Sequence, residues 1–166
     1  MKKPTTLPIL TPAQVADITL EITLRATPQA VWQALTDDIG RWWPGVFFCG
    51  SGAGPRRFLL EAWPGGRMWE DHGAGNGLLW GTVVNLHREQ LLEIAGTAWG
   101  PCTWLGRFQL TAAPGSTRLR FTESAIGRLD EATLAGKDKG WKFLFDGCLR
   151  AHLEGGVPPE WDDTSR

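Results

Sequence analysis

Glu123 is the residue whose type and position point most directly to chemistry. It lies in the alternating run Thr117-Arg118-Leu119-Arg120-Phe121-Thr122-Glu123-Ser124, where strand parity puts it on the same face as Leu119 and Phe121. A carboxylate aimed inward beside two apolar side chains could bind an amine or a hydroxyl, or act as a general acid or base in a desolvated setting. The competing reading is a solvated carboxylate at a strand end. Glu70-Asp71-His72 is the one place where two carboxylates and a histidine adjoin. On a strand they alternate sides, and His72 runs into the glycine-rich Gly73-Ala74-Gly75-Asn76-Gly77, so the spacing predicts an exposed hairpin. His87, beside Arg88 and Glu89, and His152, on a helical stripe, read as structural histidines. Asp146 belongs to a charge ladder with Lys142 and Arg150 and is set aside for catalysis. The three cysteines, Cys49, Cys102 and Cys148, have neither ligand spacing nor a nearby His or Asp pattern. Neither a metal site nor a thiol nucleophile is expected, and no cofactor is called for. Gly50-Ser51-Gly52-Ala53-Gly54 and residues 73–77 are not followed by the Gly-Lys-Ser/Thr of a phosphate loop, and read as mobile loops able to gate a pocket.

Aromatic usage is the second signal: Trp 10, Phe 7 and Tyr 0. Indoles bury a large apolar area and carry one donor, so a cluster of them fills a core or lines a concave site. The candidate ligand-binding set is Trp42, Trp43, Phe48, Trp69, Trp80, Trp104, Phe108, Phe121, Trp141 and Phe145, with Phe47 and Trp99 beside it. Core packing explains any one of them; so many rings of fixed shape together favour a pocket. Trp141 is the helix residue expected to face it.

These residues need elements to position them. Residues 1–16 are punctuated by proline and read as an irregular arm. In residues 17–25, Ile18, Leu20, Ile22 and Leu24 alternate with polar residues, the pattern of a half-buried strand. Thr27-Pro28 is an N-cap followed by the favoured first-turn proline, and a short helix runs to about Asp37. Gly40 and Pro44 then force a second, kinked turn around Arg41-Trp42-Trp43. Alternating runs at 58–63, 67–71, 78–87, 91–95, 103–110 and 118–124, separated by short turns, make an antiparallel meander. After Asp130 as N-cap comes a long helix. Trp141, Leu144, Phe145, Cys148, Leu149 and His152 form its apolar stripe, and Lys142, Asp146, Arg150 and Glu154 its wet one. Gly147 beside the stripe would let a sheet or a ligand approach, and Gly155-Gly156 stops the helix. One helix covers so many strands only if the sheet curls around it, which leaves room for a cavity. The expected domain is therefore residues 17–156, with a tail at 157–166.

Bulk properties narrow the partners. With 166 residues the chain can bury a core as one domain. Its formal net charge of -1 offers no field for a phosphate backbone, so nucleic acid is not an expected partner. No segment reaches the length of a membrane span. The odd, scattered cysteines suit a reducing, cytoplasmic setting.

The run Ile22-Thr23-Leu24-Arg25-Ala26-Thr27-Pro28-Gln29-Ala30-Val31-Trp32-Gln33-Ala34-Leu35-Thr36 leading to Trp42-Trp43 resembles the opening of START-like proteins, also called the SRPBCC superfamily, which share the birch-pollen-allergen fold. Pro64-Gly65-Gly66-Arg67, Gly81-Thr82-Val83-Val84 and residues 117–124 continue the resemblance, over roughly residues 18–155. The branch of polyketide cyclase-like and chaperone-ATPase-activator-like proteins is the closest. The resemblance implies an α+β helix-grip fold, with a curved antiparallel sheet of about seven strands around the long C-terminal helix and two short helices after the first strand. For function it implies capture of a small hydrophobic or aromatic ligand, with two alternatives. One is a polyketide cyclase or dehydratase-like enzyme using Glu123. The other is a chaperone co-regulator docking through the Arg41-Trp42-Trp43 turn or the tail with Trp161. Oligomeric state is left open.

Overall fold

Alternation of Ile18, Leu20, Ile22 and Leu24 with polar residues drives strand β1 (Gln14–Leu24) in the computed structural model, which describes residues 9–49, 56–98 and 100–162. The strand starts before residue 17 because Gln14, Val15 and Ala16 continue the ladder opposite Gly127, Ile126 and Ala125. Helix α1 (Pro28–Leu35) follows. Thr27 Oγ1 accepts the Ala30 N–H at 3.2 Å, and the helix buries Val31, Trp32, Ala34 and Leu35. The kinked turn is the short helix α2 (Ile39–Trp42) and a 3₁₀ turn at Gly45–Phe47.

Six further strands form the meander: β2 (Arg57–Leu60), β3 (Arg67–Gly73), β4 (Asn76–His87), β5 (Leu91–Gly96), β6 (Cys102–Ala113) and β7 (Ser116–Gly127). The sheet is seven-stranded in the order β1-β7-β6-β5-β4-β3-β2, and every pair is antiparallel. Register shifts in β3 and β4, at Met68/Trp69, Asp71/Gly73 and Val83/Asn85, bend the sheet as bulges do. The β3–β4 connection, expected both as a hairpin and as a mobile loop, is a tight hairpin. Gly73 pairs with Asn76 across Ala74-Gly75, with Gly73 (φ 82°) and Gly75 (φ 79°) in the left-handed region that glycine tolerates. Residues 50–54, the other expected gate, lie outside the described residues.

The long helix α3 spans residues 131–154, and its register is not uniform. It is α-helical over Glu131–Lys142, π-helical over Phe143–Leu149 and α-helical again over Arg150–Glu154. Asp130 caps it, accepting the Thr133 N–H at 2.7 Å. Trp141, Leu144, Phe145, Cys148 and Leu149 are buried as the stripe predicts. The wide turn then changes the phase: Ala151 and Leu153 turn inward and His152 is exposed, correcting its expected place on the stripe. Arg150 bridges Asp146 (2.6 Å) and Glu154 (3.1 Å), whereas Lys142 pairs with Asp138. Gly147 admits neither sheet nor ligand but the tail, since a Cβ there would lie 2.7 Å from Pro159 Cγ. Among the described residues, no helix is long and apolar enough to cross a membrane.

Candidate functional site in the concave aromatic face

Strand parity carries through to the concave face. Trp104, Phe108 and Leu110 of β6 and Leu119, Phe121 and Glu123 of β7 are all buried toward α3. Trp141 stacks on Phe145 (5.3 Å, 4°) and meets Phe121 at 4.7 Å and Trp104 at 6.5 Å. Phe108 closes on Phe121 at 4.8 Å. From the other side of the face, Trp43 stacks on Phe58 (4.0 Å, 3°) and stands edge-on to Trp80 at 5.4 Å. Trp42 reaches Phe145 at 6.3 Å, and its Nε1 donates to the Ala34 carbonyl at 2.7 Å. Phe48 is half-buried against Phe58. The candidate rings therefore form one contacting layer, with Trp69 as the exception. It points to the face opposite its buried neighbours Met68 and Glu70, under the Arg67 guanidinium at 4.5 Å, as β3 alternation requires. Trp99 lies outside the described residues.

The Arg41-Trp42-Trp43 turn is not an exposed docking edge, because both indoles point into this layer. Trp161 is likewise folded back, packing on Phe47 and Phe143 at 4.9 Å each.

Glu123 is 1% exposed, so the solvated strand-end reading fails. One carboxylate oxygen accepts from Lys137 Nζ at 2.7 Å, and the other accepts from Trp141 Nε1. Lys137 is itself 2% exposed. Sequence reasoning missed this lysine, yet it stands four residues before Trp141 and shares its helix face. Taking both charges out of water costs several kcal/mol per ion, about offset by their contact and the extra hydrogen bonds. Cys102 borders the pair: burial pushes its thiol pKa up, and the Lys137 charge partly opposes that.

A second buried carboxylate was not expected. Glu70, read as part of an exposed hairpin, is 0% exposed. It accepts from Trp80 Nε1 at 2.7 Å and from the Cys49 backbone N–H at 2.6 Å, and His72 Nε2 lies 2.9 Å from its other oxygen. The signal was available: Met68, Glu70 and His72 share one strand face. Asp71, on the other face, is half-buried and paired with Arg57. The Gly73 N–H and then the Arg57 guanidinium hold its carboxyl below the usual range. His87 ends β4 and is exposed.

A separate half-open cavity of about 270 Å³ lies beneath α1, lined by Trp32, Thr36, Asp37, Leu60, Ala62, Trp63, Leu86 and Arg88.

Comparison with known proteins identifies the frame. The chain is similar in structure to an uncharacterised protein from Rhizobium leguminosarum, with TM-score 0.65 and 21% identity, covering 87% of this chain and 97% of that one. It is also similar to the Aha1 dimer protein from Colwellia psychrerythraea, with TM-score 0.61 and 22% identity over 85% and 98% of the two chains. A third relative is DynU16, a protein of the dynemicin biosynthetic locus, with TM-score 0.62 and 22% identity over 88% and 50%. At these identities the likeness establishes the helix-grip fold. No curated protein matches the chain in sequence. The sequence model of the Activator of Hsp90 ATPase homolog 1-like proteins matches residues 25–154, and with the START-like architecture this places the chain in that family.

Proposed function

We propose that the chain binds a small, mainly apolar or aromatic molecule against the concave aromatic face, with a polar group of the ligand meeting the Glu123 and Glu70 ends. The observation that carries this reading is the setting of ionisable side chains inside a wall of indoles and phenyls. Glu70, Glu123 and Lys137 are all essentially water-free there. Small-molecule sites combine mostly apolar walls with a few placed polar groups, whereas a core built for stability alone does as well without buried charges. The indole N–H of Trp43 supports the same reading, being buried without a hydrogen-bond acceptor among the described residues. Buried donors are satisfied in the great majority of cases, and a ligand carbonyl or hydroxyl would satisfy this one.

The test is titration of an environment-sensitive apolar dye, followed by its own emission and by indole fluorescence, against wild type, Glu123→Gln and Trp43→Phe. Saturable binding that weakens in both variants is the expected result. Absence of a saturable response from the folded protein would overturn the reading.

A cyclase-type reaction is a second reading, motivated by the place of DynU16 in a biosynthetic locus. Each Glu123 oxygen accepts one hydrogen bond, from Lys137 or from Trp141, and keeps a further lone pair that could take a substrate proton. Glu123→Gln would then abolish turnover while leaving dye binding intact, the opposite of the binding reading. Co-regulation of a chaperone ATPase rests on the family description alone. Co-purification with an Hsp90-type ATPase, and a change in its hydrolysis rate, would test it.

A further inference from the structure

The cavity beneath α1 shares no lining residue with the Glu70 and Glu123 clusters, and its walls differ in kind from the aromatic interior. Its inner side is the buried Trp32 with Leu60, Ala62 and Leu86, and its outer side is the indole of Trp63, which stays 56% exposed. That exposed ring is not on a loose loop. The Trp63 N–H donates to the Glu61 carbonyl at 2.9 Å, and the Gly66 N–H donates to the Trp63 carbonyl at 2.7 Å. Gly65 and Gly66 are clamped to Val83 by two bonds of 2.8 Å each. Gly66 can carry no side chain, since a Cβ would sit 2.0 Å from the Glu61 carbonyl oxygen, and Gly65 needs φ +88°. The turn thus holds a large apolar ring at the mouth of a cavity, the pre-organised aromatic surface on which binding sites rely.

The rim carries one unpaired anion, among the described residues, and one loosely paired cation. Asp38 is occupied by Gln33 (3.0 Å) and Arg41 (3.1 Å). Its neighbour Asp37 makes no hydrogen bond or ion pair among the described residues, and it lines the cavity. Across the rim, Arg88 has only a 3.7 Å contact with Glu89. An anion, a guanidinium and two indoles around about 270 Å³ match a molecule bearing an ammonium, a carboxylate and a flat apolar group. The volume is at or below the small end of ligand cavities, roughly 300–1,000 Å³, which excludes a lipid or a polyketide.

We propose that this cavity is a second binding site that takes a free α-amino acid with an aromatic side chain. Asp37 receives the ammonium, Arg88 the carboxylate, and Trp63 and Trp32 hold the ring between them.

Calorimetric titration with L-phenylalanine, 2-phenylethylamine and 3-phenylpropanoate tests the assignment, because the last two each lack one charge. L-phenylalanine should bind saturably to the full chain. Asp37→Asn should weaken L-phenylalanine and 2-phenylethylamine about three- to tenfold and leave 3-phenylpropanoate unchanged. Arg88→Gln should weaken L-phenylalanine and 3-phenylpropanoate and leave 2-phenylethylamine unchanged. Trp63→Ala should weaken all three. These side chains are solvent-facing, so thermal melts matching wild type will show that the variants fold. No saturable binding of any of the three compounds to the folded protein overturns the proposal, and so does binding indifferent to Trp63→Ala. Asp37→Asn and Arg88→Gln weakening all three compounds alike would overturn the assigned roles.

Discussion

The concave face holds two buried carboxylates that are partnered in different ways. Glu123 on β7 has a fixed cation, Lys137, delivered by α3, and the indole donor of Trp141 from the same helix. Glu70 on β3 has the Trp80 indole, the Cys49 backbone N–H and the ring of His72, which is half-buried and neutral unless protonated. The first arrangement joins helix to sheet and is closed to water. The second joins strands to the turn after α2 and touches solvent through His72. The difference teaches where each site is vulnerable. Glu123 depends on helix position and charge, whereas Glu70 depends on donors brought from the turn after α2 and from β4.

Removing Trp141 should be the most damaging way to break the Glu123 side. The ring is 1% exposed and stacked on Phe145, so Trp141→Ala should cost about 3–5 kcal/mol, the range for truncated core aromatics, and it also strips a donor from Glu123. Urea unfolding would measure this. A distinctly smaller loss, with altered dye binding, would mean that the ring faces open space. Lys137→Met should follow at about 3–5 kcal/mol, because it leaves a buried carboxylate without its cation. The double variant Glu123→Leu/Lys137→Met should recover most of that loss. If it does not, the pair matters for more than its mutual neutralisation.

On the Glu70 side the expected effects are smaller. Trp80→Phe keeps most of the packing and removes one hydrogen bond to a charged group, worth about 1.5–3 kcal/mol. The two sites have different hydrogen-bond partners among the described residues, so Trp80→Phe and Lys137→Met should add. Strong non-additivity in a double-mutant cycle would show that the aromatic layer couples them.

A milder probe acts at the helix start that brings Lys137 to Glu123. The Thr133 hydroxyl, then its backbone N–H, hold the Asp130 carboxyl below its usual range. A depressed carboxylate stabilises the fold above its unfolded pKa of about 3.9, and that contribution is lost as pH falls through the folded value. Asp130→Ala should therefore lower the melting temperature modestly at pH 7. The gap from wild type should close below about pH 3.9, measured by thermal melts across pH. A gap independent of pH would mean that the cap acts through shape alone.

Much of this was legible in the chain. Alternation in residues 17–25 and 118–124 placed Glu123 on the inner face, and the stripe from Trp141 to Leu149 identified the packed side of α3. Parity would also have put Glu70 inward and Trp69 outward. What concealed this was His72 at the head of a glycine-rich turn, a local sign of exposure, while the groups that bury Glu70 come from residue 49 and residue 80. Lys137 was hidden by its type, since a lysine on an apolar stripe is read as solvated until a partner on another element is known. The π-helical turn has no local signature of its own, and it moved His152 out of the core.

Each carboxylate has its own cysteine reporter, which permits the finest comparison. Cys49 is exposed, and its N–H bonds Glu70; Cys102 is buried beside Lys137 and Glu123. Burial pushes the third thiol, Cys148, up to about 11, so near neutral pH it stays protonated. In the native protein a thiol reagent should modify Cys49 quickly, while Cys102 waits for an opening of the helix–sheet contact. Lys137→Met pulls Cys102 two ways. Losing the nearby cation disfavours the thiolate in the closed state, but the reagent does not reach the closed state. In the open state burial, the larger influence, is gone, and the rate follows the opening equilibrium. Opening should therefore win, speeding Cys102 while Cys49 keeps its wild-type rate. Trp80→Phe should do neither to Cys102. If Lys137→Met slows Cys102 or leaves it unchanged, the ion pair does not hold α3 to β7, and the contrast between the two carboxylates reduces to charge.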